Sequence, residues 1–385
     1  LTGAAQQLSA RADAAAKQGN LRDAVAALRE LVVLEPTAET WLKLGSLLRA
    51  SGDLRGALDA VHQALELAPL DFMGLLSRAA ILERLGAEDF GEAYGRALAH
   101  MPREPLPPAL AQMVAHARGC HADYVSKRAA ALDGAMADQL VAASPDVAAR
   151  LTRFRSNALR QTRPYHSDPT HFHYPGLIER EFHDRADFPW LNDLEAATSE
   201  ICAEMRAVMS SERAELVPYI QYASHEPLAQ WAPLNHSRDW TAIHLLQNGR
   251  AVDANARHCP ATMDLLSRLP QPVIAGCSPN AMFSLLAPRT NIPPHTGVSN
   301  TRLVCHLPLV VPEGCWFRVG AETRHWRAGE AFVFDDTIEH EAANPSDALR
   351  VVFIFDVWHP GLATLERDAV RAMLEADASG AALTL

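Results

Sequence analysis

The sequence has no apolar run approaching the ~20 residues that a membrane-spanning helix requires. Its first residues, Leu1 to Gln18, form an alanine-rich amphipathic stretch rather than a charged, apolar and cleavable leader. A cytoplasmic location is therefore expected; the chain begins at Leu1 rather than Met, which leaves room for a natural segment ahead of it. Positive charge is also short: 35 Lys and Arg against 46 Asp and Glu leave a net charge of -11, which opposes binding to a nucleic-acid backbone. Cysteine is sparse and scattered (Cys120, Cys202, Cys259, Cys277, Cys305, Cys315), with no C-x-x-C pair. That excludes a disulfide framework and the paired spacing of a structural zinc site, so reduced thiols without a role are expected.

What is present is an ordinary globular composition, 48% apolar and 21% charged over 385 residues. That is long enough for about two or three domains. The first third repeats itself at 33 residues: Gly19-Asn20-Leu21 returns as Gly52-Asp53-Leu54, Ala24 as Ala57, and Pro36 as Pro69 and then Pro102. A period of this length indicates stacked helix pairs. In the middle copy Trp41, Leu44, Gly45, Leu48, Ala57, Ala64 and Pro69 fall at spacings that resemble the tetratricopeptide pattern. Large residues make the buried stripe of one helix, small ones let the next approach, and proline ends the unit. The third copy, from about Phe72 to Pro102, is degenerate and suits a cap. Such a stack offers a groove for an extended peptide or partner protein, or serves only for packing.

The stretch 105–163 stays helical and alanine-rich, with Met113, Val114, Leu140, Val141, Val147 and Leu151 expected to be buried. Arg163-Pro164-Tyr165-His166-Ser167-Asp168-Pro169 then breaks the pattern and aromatics rise. The expected organisation is helical repeats over 1–104, a helical connector over 105–163 and a β domain over 164–385. Candidate strands are Ala281 to Leu286, Arg302 to Val311, Cys315 to Val319, Ala331 to Phe334 and Leu349 to Val357. Their close succession predicts antiparallel pairing in a sandwich or barrel.

Three residues in this half suit metal chemistry. His295 sits in Pro293-Pro294-His295-Thr296-Gly297, read as a loop; His340 ends Phe334-Asp335-Asp336-Thr337-Ile338-Glu339-His340; Arg350 opens the next apolar run. Neutral imidazoles suit Fe(II), and a planar guanidinium grips a carboxylate at two points. The other histidines of the seventeen, such as His62, His100 and His258, read as ordinary surface or core residues.

The segment His295 to Pro360 resembles the aspartyl/asparaginyl β-hydroxylase family. The matching text includes His295-Thr296-Gly297, Asn300, Arg302, His306-Leu307, Gly314-Cys315, Trp326, Gly329-Glu330, Glu339-His340-Glu341 and Asp356-Val357-Trp358-His359-Pro360. Upstream, Phe172 to Leu177 and Asp187 to Leu191 extend the likeness to about residues 165–362. The resemblance implies a double-stranded β-helix (jelly-roll) oxygenase domain behind the tetratricopeptide-like solenoid, with Fe(II), 2-oxoglutarate and dioxygen as cofactor and cosubstrates. It implies His295 and His340 as metal ligands, Arg350 and Ser284 on the distal carboxylate of 2-oxoglutarate, and His306 near its chelating end. Most such oxygenases add a carboxylate ligand two residues after the first histidine; Gly297 stands there, and glycine is this family's own pattern. Asp335 and Asp336 are expected as turn or supporting residues. One departure is Val304, where the family commonly has Arg; Arg302 is a possible substitute anion partner for the substrate. Trp231, Asn235, His236 and Trp240 are candidates for the pocket wall.

The implied reaction is hydroxylation of an unactivated C–H bond, foremost the β-carbon of an Asp or Asn-type residue in a peptide or protein bound in part by the repeats. Three other readings stand beside it: a hydroxylase of a small molecule or acyl chain; a non-catalytic repeat scaffold whose oxygenase domain senses 2-oxoglutarate; and a cupin-like isomerase or zinc hydrolase, which needs more ligands than two histidines.

Overall fold

The repeated Gly-Asn/Asp-Leu tripeptide is a helix junction. Gly19 and Gly52 adopt left-handed φ values of 75° and 88°, which only glycine reaches without strain. The next residue caps the following helix: the Asn20 side chain accepts the N–H of Asp23 at 3.2 Å, and Asp53 that of Gly56 at 2.9 Å. Six helices follow this rhythm in the computed structural model, which describes residues 3–211, 215–223, 225 and 228–376. They are α1 Gly3–Lys17, α2 Leu21–Leu34, α3 Ala38–Ala50, α4 Leu54–Leu67, α5 Phe72–Leu85 and α6 Phe90–Ala99. Residues 1–2 and 377–385, the extreme ends of the expected domains, lie outside the described residues.

Consecutive helices pack side by side, and Ala57 and Ala64 are buried where small residues were expected. In the third copy Gly86 again turns left-handed, but the cap has moved to Asp89, whose side chain makes no capping bond. Its degeneracy is thus a loosened junction. The chain continues into α7 Pro108–Ala142, 35 residues long, and α8 Pro145–Ala158. Only Val114 and Ala117 of α7 are buried. Met113, Val141 and Val147 are 36%, 90% and 37% exposed and Leu140 and Leu151 are half-buried, so of the positions expected to be buried Val114 alone is. The physical reason is that the core layer around Phe72, Leu76 and Tyr94 covers α7 only up to Cys120.

The chain divides into two compact units, residues 1–159 and 160–385, the first taking in the stretch read as a connector. The second unit begins with irregular chain, then α9 Leu191–Ala196, α10 Thr198–Met209, β1 Leu216–Pro218, β2 Trp240–Gln247, β3 Arg250–Ala251, α11 Asp253–Ala256 and α12 Pro260–Ser267. The strands β4 Ala281–Leu286, β5 Thr290–His295, β6 Arg302–Val310, β7 Trp316–Val319, β8 Glu322–His325, β9 Phe332–Phe334, β10 His340–Asn344 and β11 Arg350–Trp358 follow, and α13 Thr364–Ala376 ends the unit.

All ladders between these strands are antiparallel and form two facing sheets. The larger runs β1-β2-β4-β11-β6-β9 with β3 beside β2, and the smaller runs β5-β10-β7-β8. One face of the larger sheet packs under α9, α10 and α12 through Leu194, Ile201, Met205 and Leu265 against Phe283, Leu303, Phe353 and Phe355. Its other face meets the smaller sheet through Met282, Val304, Val352 and Ile354 against Ile292, Phe317 and Ala342. Burial on both faces is why β4 and β11 read as unbroken apolar runs rather than alternating ones. The result is a double-stranded β-helix whose interior holds the site. Among the described residues, no helix is long and apolar enough to cross a membrane.

Candidate active site

His295 closes β5 instead of standing on a loop. Strand β5 is the edge of the smaller sheet, where proline is tolerated because a missing N–H leaves no ladder bond unmade. Between the rungs His340–His295 and Ala342–Ile292, Glu341 alone faces Pro293 and Pro294. This is a β-bulge that re-aims the histidine. The two histidines therefore sit opposite one another on neighbouring strands, ring centroids 4.0 Å apart. Each Nδ1 donates to a carbonyl two residues back, His295 to Pro293 at 2.8 Å and His340 to Ile338 at 3.1 Å. These bonds fix the tautomers and leave each Nε2 lone pair available for a metal. Burial, and the neighbouring ring in the case of His295, push the imidazoles down to about 3 for His295 and about 4 for His340. Both stay neutral, as ligands must.

Gly297 is held by its N–H donating to the Asp336 carbonyl at 2.7 Å. A Cβ built on Gly297 would collide with the Asp336 carboxylate, so that carboxylate fills the space a side chain at 297 would need. Asp336 is itself ion-paired to buried Arg302 at 3.2 Å. Burial pushes its carboxyl up while Arg302 and His295 pull it back. Arg302, a possible substrate contact by sequence, is thus placed against a carboxylate of its own protein, and it does not line the cavity as Val304 and His306 do. No third His, Cys, Asp or Glu among the described residues joins the two histidines within 4.8 Å to make a three-ligand group. Asp335 is a turn residue: its carboxylate accepts the Thr337 N–H at 2.9 Å and the Thr337 hydroxyl at 2.5 Å.

Arg350, at the start of β11, is 1% exposed and, among the described residues, faces no carboxylate. Its guanidinium lies 4.8 Å from the Trp326 ring centroid and reaches only the Ser284 carbonyl at 3.4 Å and hydroxyl at 3.5 Å, and its Nε has no partner. Burial pushes it down to about 10. Ser284 is fixed in turn by the Trp240 indole N–H at 3.1 Å. His306 is enclosed by Phe317, Phe334 and Phe332 at centroid distances of 5.0, 4.8 and 5.4 Å, with Nδ1 unpartnered. Burial and then Arg350 hold it well below the usual histidine range.

His295, His340, Arg350, Ser284 and His306 all line one cavity of about 680 Å³. Trp231 and Trp240 belong to its wall, Trp231 standing 4.9 Å from His295. Tyr219, which sequence reasoning missed, stacks on Trp240 at 3.8 Å. Asn235 and His236 instead tie their own loop to the Tyr222 backbone.

Residues 195–360 match the family described as aspartyl/asparaginyl β-hydroxylase. They form an aspartyl/asparaginyl β-hydroxylase domain. Relatives of the chain include the human aspartyl/asparaginyl β-hydroxylase, 33% identical over 187 residues, or 48% of this chain and 24% of that protein. The human aspartate β-hydroxylase domain-containing protein 2 is 39% identical over 137 residues, 35% of this chain and 37% of that one. This chain therefore spans about a quarter of the first relative and just over a third of the second. Among solved structures, MamA covers 32% of this chain and 72% of its own length at 22% identity and a TM-score of 0.27. The TPR2B domain of yeast Sti1 covers 30% of this chain and 97% of its own at 14% identity and a TM-score of 0.28. Within the aspartyl/asparaginyl β-hydroxylase domain, the residues that sequence had not tied to the site are the aromatic cage around His306 and Tyr219. The alternating β7 pattern offered a signal for Phe317; Tyr219, between a short strand and a bridge, offered none.

Proposed function

We propose that this chain is an iron(II)- and 2-oxoglutarate-dependent dioxygenase that hydroxylates an unactivated C–H bond, foremost the β-carbon of an Asp or Asn-type residue in a peptide or protein. One observation carries the reading: two neutral imidazoles paired across a strand ladder share a cavity with a buried guanidinium that has no counterion among the described residues. A buried unpaired charge is costly, and a ligand carboxylate supplies the missing partner. His295 and His340 would hold the iron, and Arg350 with Ser284 would hold the distal carboxylate of 2-oxoglutarate. His306, neutral in its aromatic cage, offers a single hydrogen-bonding nitrogen near the chelating end. When bound, iron would activate dioxygen, the oxidant, one oxygen atom going to 2-oxoglutarate as it is oxidised to succinate and carbon dioxide and the other to the substrate C–H bond.

The protein's own share is positional. The bulge aims His295, the two backbone carbonyls lock both tautomers, Trp240 orients Ser284, and the Trp231, Trp240 and Phe317 walls exclude water. Val304 on the cavity wall and the indole-rich lining favour a second reading, a less anionic substrate such as a small molecule or acyl chain. A peptide would be held in part by the helical unit, whose α3 and α5 border a cavity of about 490 Å³ lined by Lys43, Arg49, Met73 and Ile81. The retained histidines and arginine weigh against a non-catalytic sensor.

The test is succinate formation from 2-oxoglutarate with added Fe(II), comparing the intact chain with His340→Ala and Arg350→Ala, followed by a peptide screen for a mass gain of one oxygen. Activity lost in both variants supports the oxygenase reading. Unchanged activity in either removes it.

A further inference from the structure

We propose that the helical unit carries a zinc(II) site formed by Glu83, His116 and Cys120, which clasps α7 to α5. The three side chains offer one ligand atom each, all within 4.8 Å of one another. The edges of that triangle are 2.9 Å from His116 Nε2 to Glu83 Oε1, 3.4 Å from Cys120 Sγ to His116 Nε2 and 3.7 Å from Sγ to Oε1. Zinc bonds of about 2.0–2.3 Å at the tetrahedral angle put ligand atoms about 3.3–3.6 Å apart. The triangle is thus close to one face of a tetrahedral site. His116 and Cys120, four apart on α7, necessarily share a helix face. The His116 side chain is 57% exposed and that of Glu83 31%, which leaves the fourth position open to water.

Two observations favour a cation over a hydrogen-bonded cluster or a nucleophilic triad. A Cys-His-Glu triad needs the thiol and the carboxylate on different ring nitrogens, yet both face His116 Nε2. The proton on that nitrogen and the thiol's own proton can each serve the Glu83 carboxylate but leave the 3.4 Å contact from Sγ to Nε2 without one, whereas a cation serves all three edges. The carboxylate is also held from behind, as metal-ligating carboxylates are: the hydroxyl of buried Tyr94 donates to Glu83 Oε2 at 2.6 Å. Burial and the Glu83 carboxylate push the Cys120 thiol up, so binding breaks the S–H bond, forms the metal–sulfur bond and releases the proton to solvent. The clasp would add a tie to α5 on a helix of 35 residues whose buried residues are Val114 and Ala117 and whose His121 and Tyr124 bond to α6 at the Gly91 carbonyl and the Glu92 carboxylate.

The experiment uses the full chain and its His340→Ala variant, which removes the other metal site. Zinc(II) is titrated by calorimetry, and cobalt(II) serves as the spectroscopic probe. The cavity that holds His295 has no cysteine in its lining, so a thiolate-to-cobalt charge-transfer band reports this site alone. One zinc per chain is expected in His340→Ala, with the band present. Binding should weaken more than about 100-fold in Cys120→Ser or His116→Ala and about 10-fold or more in Tyr94→Phe. A missing band, or a band that survives Cys120→Ser, overturns the proposal. Should those variants fail to fold, alkylation of Cys120 in the unmutated chain decides: zinc must slow it and a chelator restore it, and indifference to zinc overturns the site.

Discussion

Replacing Arg350 should move stability and ligand binding in opposite directions. Burial lowers this guanidinium from 12.5 to about 10; at about 1.36 kcal/mol per unit, keeping it charged costs the empty fold about 3 kcal/mol. Arg350→Met retains most of the side-chain volume and discards the charge. The ligand-free protein should therefore be as stable as the parent or up to about 3 kcal/mol more so, in line with apolar replacement of buried charges. Cosubstrate binding should instead lose about 2–5 kcal/mol, because the carboxylate of 2-oxoglutarate would enter the cavity without its partner. That is a rise in Kd of about 30-fold to several thousand-fold. The assay is paired: calorimetric titration of 2-oxoglutarate with Mn(II) in place of iron, and thermal melts with and without ligand. At 100 times its Kd the ligand should stabilise the parent by about 2.7 kcal/mol, and the same concentration should stabilise Arg350→Met by less than about 1 kcal/mol. A variant that binds 2-oxoglutarate within threefold of the parent, or that is destabilised by several kcal/mol without ligand, would refute the reasoning.

Gly297→Ala pushes a methyl into the Asp336 carboxylate and should break its pair with Arg302, costing about 3–5 kcal/mol in denaturant melts of the second unit; a loss under 1 kcal/mol would mean the space is not needed. Asp53→Ala removes the cap of α4 and should cost about 1 kcal/mol, read as faster hydrogen exchange at Gly56 and its neighbours. Asp356 is fully buried, accepts the N–H of Asn280 at 3.0 Å, and is pushed up to about 6 by burial. The native carboxyl thus binds its proton more tightly than the unfolded chain does, so its own contribution to stability should fall by about 3 kcal/mol as pH rises from about 4 to about 6, against the rise that the buried neutral His295 and His340 contribute over the same range. Asp356→Ala should make the stability profile rise more steeply with pH over that range, and an unchanged slope would contradict the assignment.

How much could be read beforehand followed from burial. Strands β4, β6 and β11 have apolar runs because both their faces are covered, and their predicted limits agree with the structure within two residues. Strands β5 and β10 were illegible: Thr290-Asn291-Ile292-Pro293-Pro294-His295 and His340-Glu341-Ala342-Ala343-Asn344 carry prolines and polar residues suited to a sheet edge and a metal site, not to strand propensity. The 33-residue period exposed the helix junctions because glycine and its capping neighbour are local requirements. The outward face of α7 was misjudged because periodicity shows which residues share a face, not how far a covering layer extends. His295, His340 and Arg350 were legible through family text. The Arg302–Asp336 pair was not, since it joins residues 34 apart on a contact that only folding creates.

The rung that places His295 opposite His340 has a consequence for the sheet itself. Strand β5 has one neighbour, and the bulge, the packing of Ile292 and the Gly297 N–H on the Asp336 carbonyl oppose its slippage against β10. In the proposed metal site an ion gripped by both imidazoles would be a rivet through that rung: sliding the strands by one residue would turn one of the two histidines out of the barrel. Under that proposal metal loading and the alignment of the edge strand would be a single equilibrium, and whatever strips the ion would also loosen the border of the barrel.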